Sequence, residues 1–271
     1  MAEGDVPSPA TSLIYFILVT VCFLFFTIFT VNKGKSIQDI NNAKDSGVIN
    51  FIYILLVIIG SYFLNVHNSR VICDNNIEWN YILIVTLMPW LIIFILLYFI
   101  LKLFPGWISP FSNTIGYIFV SLLGVSTLLN DLIRDVEDVD KNNNELIKAI
   151  NSINNNKSKF INQIDIDLSN FITFIKGLTS AQIMKSTSED ALDEGDNPKI
   201  ITLYKLITIK HVIGKIVWYI LAGILISSIS YNYIIGMSCE KSVDQIIKDY
   251  ESTTTPTTPT TSTTTTTTTP G

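Results

Sequence analysis

The sequence predicts an all-α, polytopic membrane protein with about five transmembrane helices, an amphipathic helical polar region and a disordered Thr-rich tail. Three observations predict it. Apolar runs of about 20 residues, the length that crosses a bilayer core as a helix, recur along the chain. Charged residues make up only 15% of the chain, against about a quarter in soluble domains, and mean hydropathy is +0.42. The charges are also segregated: most lie between Asp131 and Lys215, and whole blocks elsewhere carry none.

A four-helix membrane region, residues 12–130, follows an N-terminal tail, residues 1–11. The first span covers 12–31. Its acidic upstream flank, long apolar core and missing A-x-A site predict an uncleaved anchor rather than a signal peptide. Ala2 rather than Gly follows Met1, so myristoylation is not indicated. The second span covers 48–66 and the third 81–104. Pro89 lies inside the third, removes one backbone hydrogen bond and predicts a kink. The fourth segment, 112–129, carries Asn113, Ser121, Gly124 and Ser126, so it is expected to pack against other helices rather than face lipid. A re-entrant path is the alternative to a full crossing.

The fifth span, 212–236, begins near Lys215, whose ammonium can snorkel to the interface. Its Gly223 and Ser227 form a small-xxx-small pair. No span has an acidic residue near its centre, which weighs against proton relays and ion pathways but leaves open a pore lined by backbone or hydroxyls.

The orientation signals conflict. Lys33, Lys35 and Lys44 in the first loop, against an acidic N-terminus, favour a cytoplasmic first loop. Five crossings would then place the polar region outside, yet Lys199, Lys205 and Lys210 argue for the inside. Five crossings also put Cys73 and Cys239 on opposite faces, so no intrachain disulfide is expected between them. Cys22 lies within an apolar run and reads as a packing residue.

Within the polar region, residues 131–211, one apolar seam has coiled-coil spacing: Leu132, Val136, Val139, Leu146, Ile150, Ile153, Phe160 and Ile164. It predicts an amphipathic helix, weakened by Asn at 142–144 and 154–156. Such a helix would pack as a hairpin, lie on the membrane, or dock a partner. Asn156-Lys157-Ser158 is a glycosylation sequon. Residues 186–198, STSEDALDEGDNP, read as a mobile solvated loop, and 199–211 as an interfacial helix leading into the fifth span. The C-terminal tail, 237–271, ends in a Thr/Pro-rich stretch that cannot bury a core; it suits O-glycosylation in a secretory lumen, or a flexible spacer.

No enzymatic chemistry is legible. His67 and His211 are far apart in sequence, and no H-E-x-x-H, C-x-x-C, G-x-S-x-G or P-loop pattern occurs. Catalytic, cofactor-binding and metal residues are therefore not assigned, and no small-molecule substrate is evident. A net charge of −5 leaves no footprint for nucleic acid.

The most distinctive stretch is FPGWISPFSNTIGY, residues 104–117. Phe104, Pro105 and Gly106 end the third helix. Trp107 suits the headgroup level. Pro110 can start the next helix, with Ser112 or Asn113 as its cap. A helical hairpin accounts for every residue. The pattern W-x-x-P-F-S-N-T-x-G-Y, here Trp107, Pro110, Phe111, Ser112, Asn113, Thr114, Gly116 and Tyr117, nevertheless resembles a motif in multi-span membrane proteins of nucleocytoplasmic large DNA viruses, the giant viruses of algae and protists. The resemblance covers residues 80–135, and the abundance of Ile, Asn and Lys suits an AT-rich genome.

The resemblance implies a non-enzymatic structural protein of the virion's internal membrane, first made on host membranes. Its hairpin residues Trp107, Pro110, Phe111, Ser112, Asn113, Gly116 and Tyr117 would contact minor capsid proteins or neighbouring copies. A small channel or carrier subunit, resting on Pro89 and the polar fourth segment, and a cellular organelle membrane protein are the alternatives.

Overall fold

The computed structural model describes residues 8–44, 46–73, 77–185, 197–237 and 239. The acidic loop at 186–196, most of the N-terminal tail and nearly all of the Thr-rich tail lie outside the described residues. The described chain is an all-α polytopic membrane protein. Its helices are α1 (Pro9–Lys33), α2 (Ile37–Lys44), α3 (Gly47–Ile72), α4 (Trp79–Pro89), α5 (Ile95–Leu103), α6 (Ser109–Phe111), α7 (Tyr117–Leu122), α8 (Val125–Leu132), α9 (Asn144–Asn155), α10 (Lys157–Gln163), α11 (Leu168–Ser180) and α12 (Pro198–Ile235).

Among the described residues four helical stretches are each long and apolar enough to cross a bilayer: α1, α3 with its lead-in, the α4–α5 pair, and α12. Pro89 does not break the third. The helix passes from α4 to α5 through a π turn, Trp90–Phe94, which takes up the missing N–H within a wider turn. The spans pack through aromatic rings and a few polar bonds. Phe16, Tyr53, Trp90, Phe94 and Tyr219 are buried together at the centre. Thr20 and Tyr53 share a hydrogen bond of 3.0 Å, Asn65 donates to Thr86 at 2.8 Å, and Ser230 donates to the Val85 carbonyl at 3.2 Å. Such bonds join helices where lipid tails provide no hydrophobic drive between them. The outward faces carry exposed Phe25, Phe29, Val48, Phe51, Phe63 and Ile92, as lipid contact requires.

The fourth segment does not cross as a straight helix. Residues 105–122 and 125–132 meet at a 79° bend. Gly124 makes the bend with φ +88°, a conformation that a side chain disfavours. Beyond it, Val125, Leu129 and Leu132 enter a polar-region core that also holds Val31 and Ile40, from the end of α1 and from α2. The segment therefore starts at the end of α5 and finishes in a lobe on the same side.

That lobe wraps around the N-terminal half of α12. Residues 200–209, which read as an interfacial helix, are instead almost wholly buried at its centre, and they run unbroken into the fifth apolar segment. The sequence pattern misleads because Lys199, Lys205 and Lys210 interrupt the apolar residues at a spacing that suits a membrane surface. In the fold Lys210 is buried and Lys205 donates to the Asn32 carbonyl at 3.0 Å. At about 1.5 Å per residue the 38-residue α12 is roughly 57 Å long, nearly twice the bilayer core. One half spans and the other stands in the lobe.

The predicted seam is buried, but on α12 rather than in a coiled coil. Leu132, Val139, Leu146, Ile150, Phe160 and Ile164 share one core with Ile200, Leu203, Tyr204 and Ile207. The helix breaks where Asn and Asp intervene. Asn143 caps α9 by accepting from the Leu146 N–H, Asn156 separates α9 from α10, and Asp167 caps α11 by accepting from the Ser169 and Asn170 N–H groups. The Ser169 hydroxyl, more than those backbone donors, holds the Asp167 carboxyl below the usual range. A short backbone pairing closes the lobe: Arg134 N–H to the Ile183 carbonyl at 2.8 Å and Lys185 N–H to the Leu132 carbonyl at 3.0 Å.

At the opposite end of the bundle Cys73 and Cys239 form a disulfide with Cα atoms 5.3 Å apart. This corrects the expectation of two cysteines on opposite faces. Because the fourth segment bends back, α3 and α12 end on the same side. Val66, Ile82 and Ile234 share a small core drawn from α3, α4 and α12, and the Tyr81 hydroxyl donates to the Tyr233 carbonyl at 3.2 Å. Mass-tag counting of thiols in the unfolded, unreduced protein is expected to find one reactive cysteine, Cys22, and three after reduction. Cys239→Ser is expected to remove the link across 166 residues and lower stability by about 2–4 kcal/mol, read from the thermal midpoint in detergent.

Candidate functional site

The 104–117 stretch is built onto α12 at the junction between lobe and bundle. The chain runs through a 3₁₀ turn, Pro105–Ile108, then α6, then a second π turn, Ser112–Gly116, into α7. Neither Ser112 nor Asn113 caps a helix, because the helix has already begun at Ser109 and both residues face α12 instead. The Thr114 hydroxyl donates to the Pro110 carbonyl at 2.6 Å, one turn back.

Two glycines let the backbones touch. A Cβ on Gly116 would strike the backbone carbonyl of Lys210, and a Cβ on Gly214 would lie 2.6 Å from the Ser112 nitrogen. The contact is thus reciprocal and close, as small residues permit between helices. Gly116 belongs to the pattern read from the sequence. Gly214 does not, and only its place one turn after Lys210 ties it to the joint.

Lys210 is 3% exposed. An ammonium offers three donors, and Lys210 Nζ has three acceptors: Asn113 Oδ1 at 3.0 Å, Asn162 Oδ1 at 3.2 Å and the Ile161 carbonyl at 3.3 Å. Asn162 Nδ2 in turn donates to the Asn113 carbonyl at 3.2 Å. The fourth segment, the α10 end and α12 therefore meet at one polar knot. A buried cation without such bonds would be strongly unfavourable. A cavity of about 280 Å³ opens beside it, lined by Ser112, Asn113, Asn162, Asp165, Lys210 and His211 among others.

The outer part of the stretch meets the membrane-spanning half of α12. Trp218 Nε1 donates to the Trp107 carbonyl at 2.7 Å, and its ring packs edge-on against Phe111 with centroids 5.2 Å apart. Trp107 is 51% exposed, the half-buried state suited to a headgroup region. The predicted set divides accordingly. Ser112, Asn113, Gly116 and Tyr117 face inward, Phe111 packs on Trp218, and Trp107 and Pro110 remain on the outer surface. Lys210, Asn162, Gly214 and Trp218 complete the site. Their partners are remote in sequence, so spacing did not reveal them.

Fold and site together define a polytopic membrane protein whose extramembrane lobe is joined to its bundle through one shared helix and one buried lysine. No family model, curated protein or solved structure matches the chain. Among the described residues no three His, Cys, Asp or Glu side chains gather as a metal-ligand set.

Lys210→Met is expected to strand three acceptors, one of them buried and two partly buried, and cost about 1.5–3 kcal/mol. Asn113→Ala removes one of the same bonds, so a double-mutant cycle with Lys210→Met should show coupling rather than additivity. Thermal midpoints of the purified variants measure both. Gly116→Val is expected to be worse than either, since it must push the α12 backbone away.

Proposed function

We propose that this chain is a non-enzymatic structural component of a giant-virus internal membrane, and that it mediates assembly contacts from its lobe-bearing face. The observation that carries the reading is the use made of the W-x-x-P-F-S-N-T-x-G-Y stretch. Its inward residues hold the lobe against the membrane bundle, while Trp107 and Pro110 lie at the outer surface beside that joint. A joint of this kind presents a lobe at a defined distance from the bilayer, which is what a membrane-to-capsid link needs. Minor capsid proteins or further copies of the chain are the partners that fit.

The lobe face is assigned to the cytoplasm. Lys33, Lys35 and Lys44 lie on the same side as the lobe lysines, in keeping with the positive-inside bias. The Cys73–Cys239 bridge lies at the other end, in keeping with an oxidising compartment. Capsid proteins assembling in the cytosol would meet the lobe directly. The channel reading draws less support, since the polar groups Thr20, Tyr53, Asn65, Thr86 and Ser230 are engaged in bonds between or within helices.

Immunogold electron microscopy of the tagged protein in producing cells tests the proposal. Label is expected on membranes inside forming particles, with the protein retained in purified virions. Label confined to cellular membranes, with none in purified particles, would overturn it.

A further inference from the structure

α1 and α3 leave an apolar groove between them, with a volume of about 450 Å³. Tyr15 donates to the Leu56 carbonyl and Thr20 bonds Tyr53, so the two helices run antiparallel. Leu18, Cys22 and Phe26 from α1 and Ile52 and Leu56 from α3 are exposed and form the rims. Phe23 and Tyr53 stack at the floor, with ring centroids 4.3 Å apart and planes at 20°. Among the described lining residues Tyr53 alone has a side-chain oxygen or nitrogen, and its hydroxyl bonds Thr20 inside the bundle at 3.0 Å.

Depth and shape decide what fits. The groove starts at Ile49, near the lobe end of α3, and reaches Leu56, about 10 Å further at 1.5 Å per residue. Half of a bilayer core is about 15 Å, so the groove stays within the lobe-side leaflet and opens to lipid. Contacts between spans favour small residues. Here the rims carry Leu, Ile and Phe, which hold a second helix away. At the lobe end Phe23 and Ile49 also border a cleft of about 10 Å³, room for one water-sized group. Thr27, Ser46 and Asn50 line it. The Thr27 hydroxyl and the Asn50 amide donate to the Phe23 and Ser46 carbonyls, so the Thr27 and Asn50 side-chain oxygens remain able to accept. The Ser46 hydroxyl does not cap α3. One hydroxyl fits such a cleft, and a phosphate is too large for it. Lys44 and Lys215 border the cleft too, each engaged elsewhere, and the fit needs neither.

We infer that the α1–α3 groove binds a sterol, with its planar ring body on Phe23 and Tyr53 and its single hydroxyl at the Thr27, Ser46 and Asn50 cleft. Lipid tails are as apolar as the groove, so the gain comes from packing rather than from leaving water. A rigid ring system loses little conformational freedom when it lies in a groove, whereas a flexible acyl chain loses several rotors. The flat aromatic floor therefore favours the sterol over a phospholipid tail. Sterol binding needs only the membrane fold and stands whether or not the protein belongs to a virion.

The test uses the full chain in phosphatidylcholine vesicles, labelled with cholesterol that carries a photoreactive diazirine on its rings and mapped by peptide mass spectrometry. Label is expected on residues 18–26 and 49–56, and excess unlabelled cholesterol should displace it while added phosphatidylcholine should not. Ile52→Trp and Leu18→Trp place an indole in the groove from opposite rims. Each is expected to lower the label roughly tenfold, as overfilling a packed site does. Both positions are exposed, at 49% and 59%, so the thermal midpoint should stay unchanged, which separates a filled groove from misfolding. Ile92→Trp, on the lipid face of another span, should leave the label as it is. Label spread evenly over the lipid-facing residues of all spans, or label that neither groove variant lowers, would overturn the inference. Displacement by phosphatidylcholine as effective as by cholesterol would overturn it too, since the groove would then hold acyl chains without selecting a sterol.

Discussion

The backbone contact between the 112–116 π turn and α12 is the constraint on which the architecture rests. Gly116 lies against the Lys210 carbonyl and Gly214 against Ser112, with no room for a side chain at either. Only at that separation does the short Asn113 side chain reach Lys210, and only then does Lys210 find three acceptors at once. The favourable dispersion between touching backbones is small per atom. Its larger effect is to set the geometry that satisfies a buried charge, for which the alternative is far more costly. The lobe then needs no separate anchor, because α12 is both its central helix and a membrane span.

A second consequence follows from parity. With the bend at Gly124, four helical stretches among the described residues remain long and apolar enough to cross unbroken, and an even number of crossings brings the orientation signals into line. The first-loop lysines and the lobe lysines come to the same side: Lys44 donates to the Ile166 carbonyl at 2.9 Å, and Lys205 reaches Asn32. Cys73 and Cys239 come to the other side and bond. The conflict in the charge pattern was therefore real evidence about the fold. A chain whose lysines disagree under an odd number of crossings agrees with itself under an even number.

Features that depend on local apolar content were legible in the sequence. The spans at 12–31, 48–66 and 81–104 fall inside α1, α3 and the α4–α5 pair, give or take a residue at the ends. The buried seam from Leu132 to Ile164 was legible as well, since periodicity reports which residues face a core. It does not report whose core. A heptad-like pattern reads as one long helix when Asn breaks are treated as mere weaknesses, whereas here they terminate α9 and cap its start. Residues 199–211 were misread for the converse reason. Lysines at regular spacing signal a surface unless their ammonium groups find partners, and Lys210 finds its partners 48 and 97 residues away. The 104–117 stretch stood out by composition, and its division into an inward and an outward set needed α12 in place.

Asparagine carries much of what the sequence conceals. Its side chain is short, uncharged and both donor and acceptor, so it can end a helix or bond a backbone without the desolvation penalty of a carboxylate. Asn143 and Asn197 cap helices, Asn156 separates two, Asn65 joins two spans, and Asn113 and Asn162 hold Lys210. An Asp at either clamp position would pair more strongly with the ammonium but would bury a second charge, and at position 162 it would also lose the amide donor that binds the Asn113 carbonyl. The amides keep the knot neutral apart from one lysine, and Asn162 both accepts from Lys210 and donates to the Asn113 carbonyl.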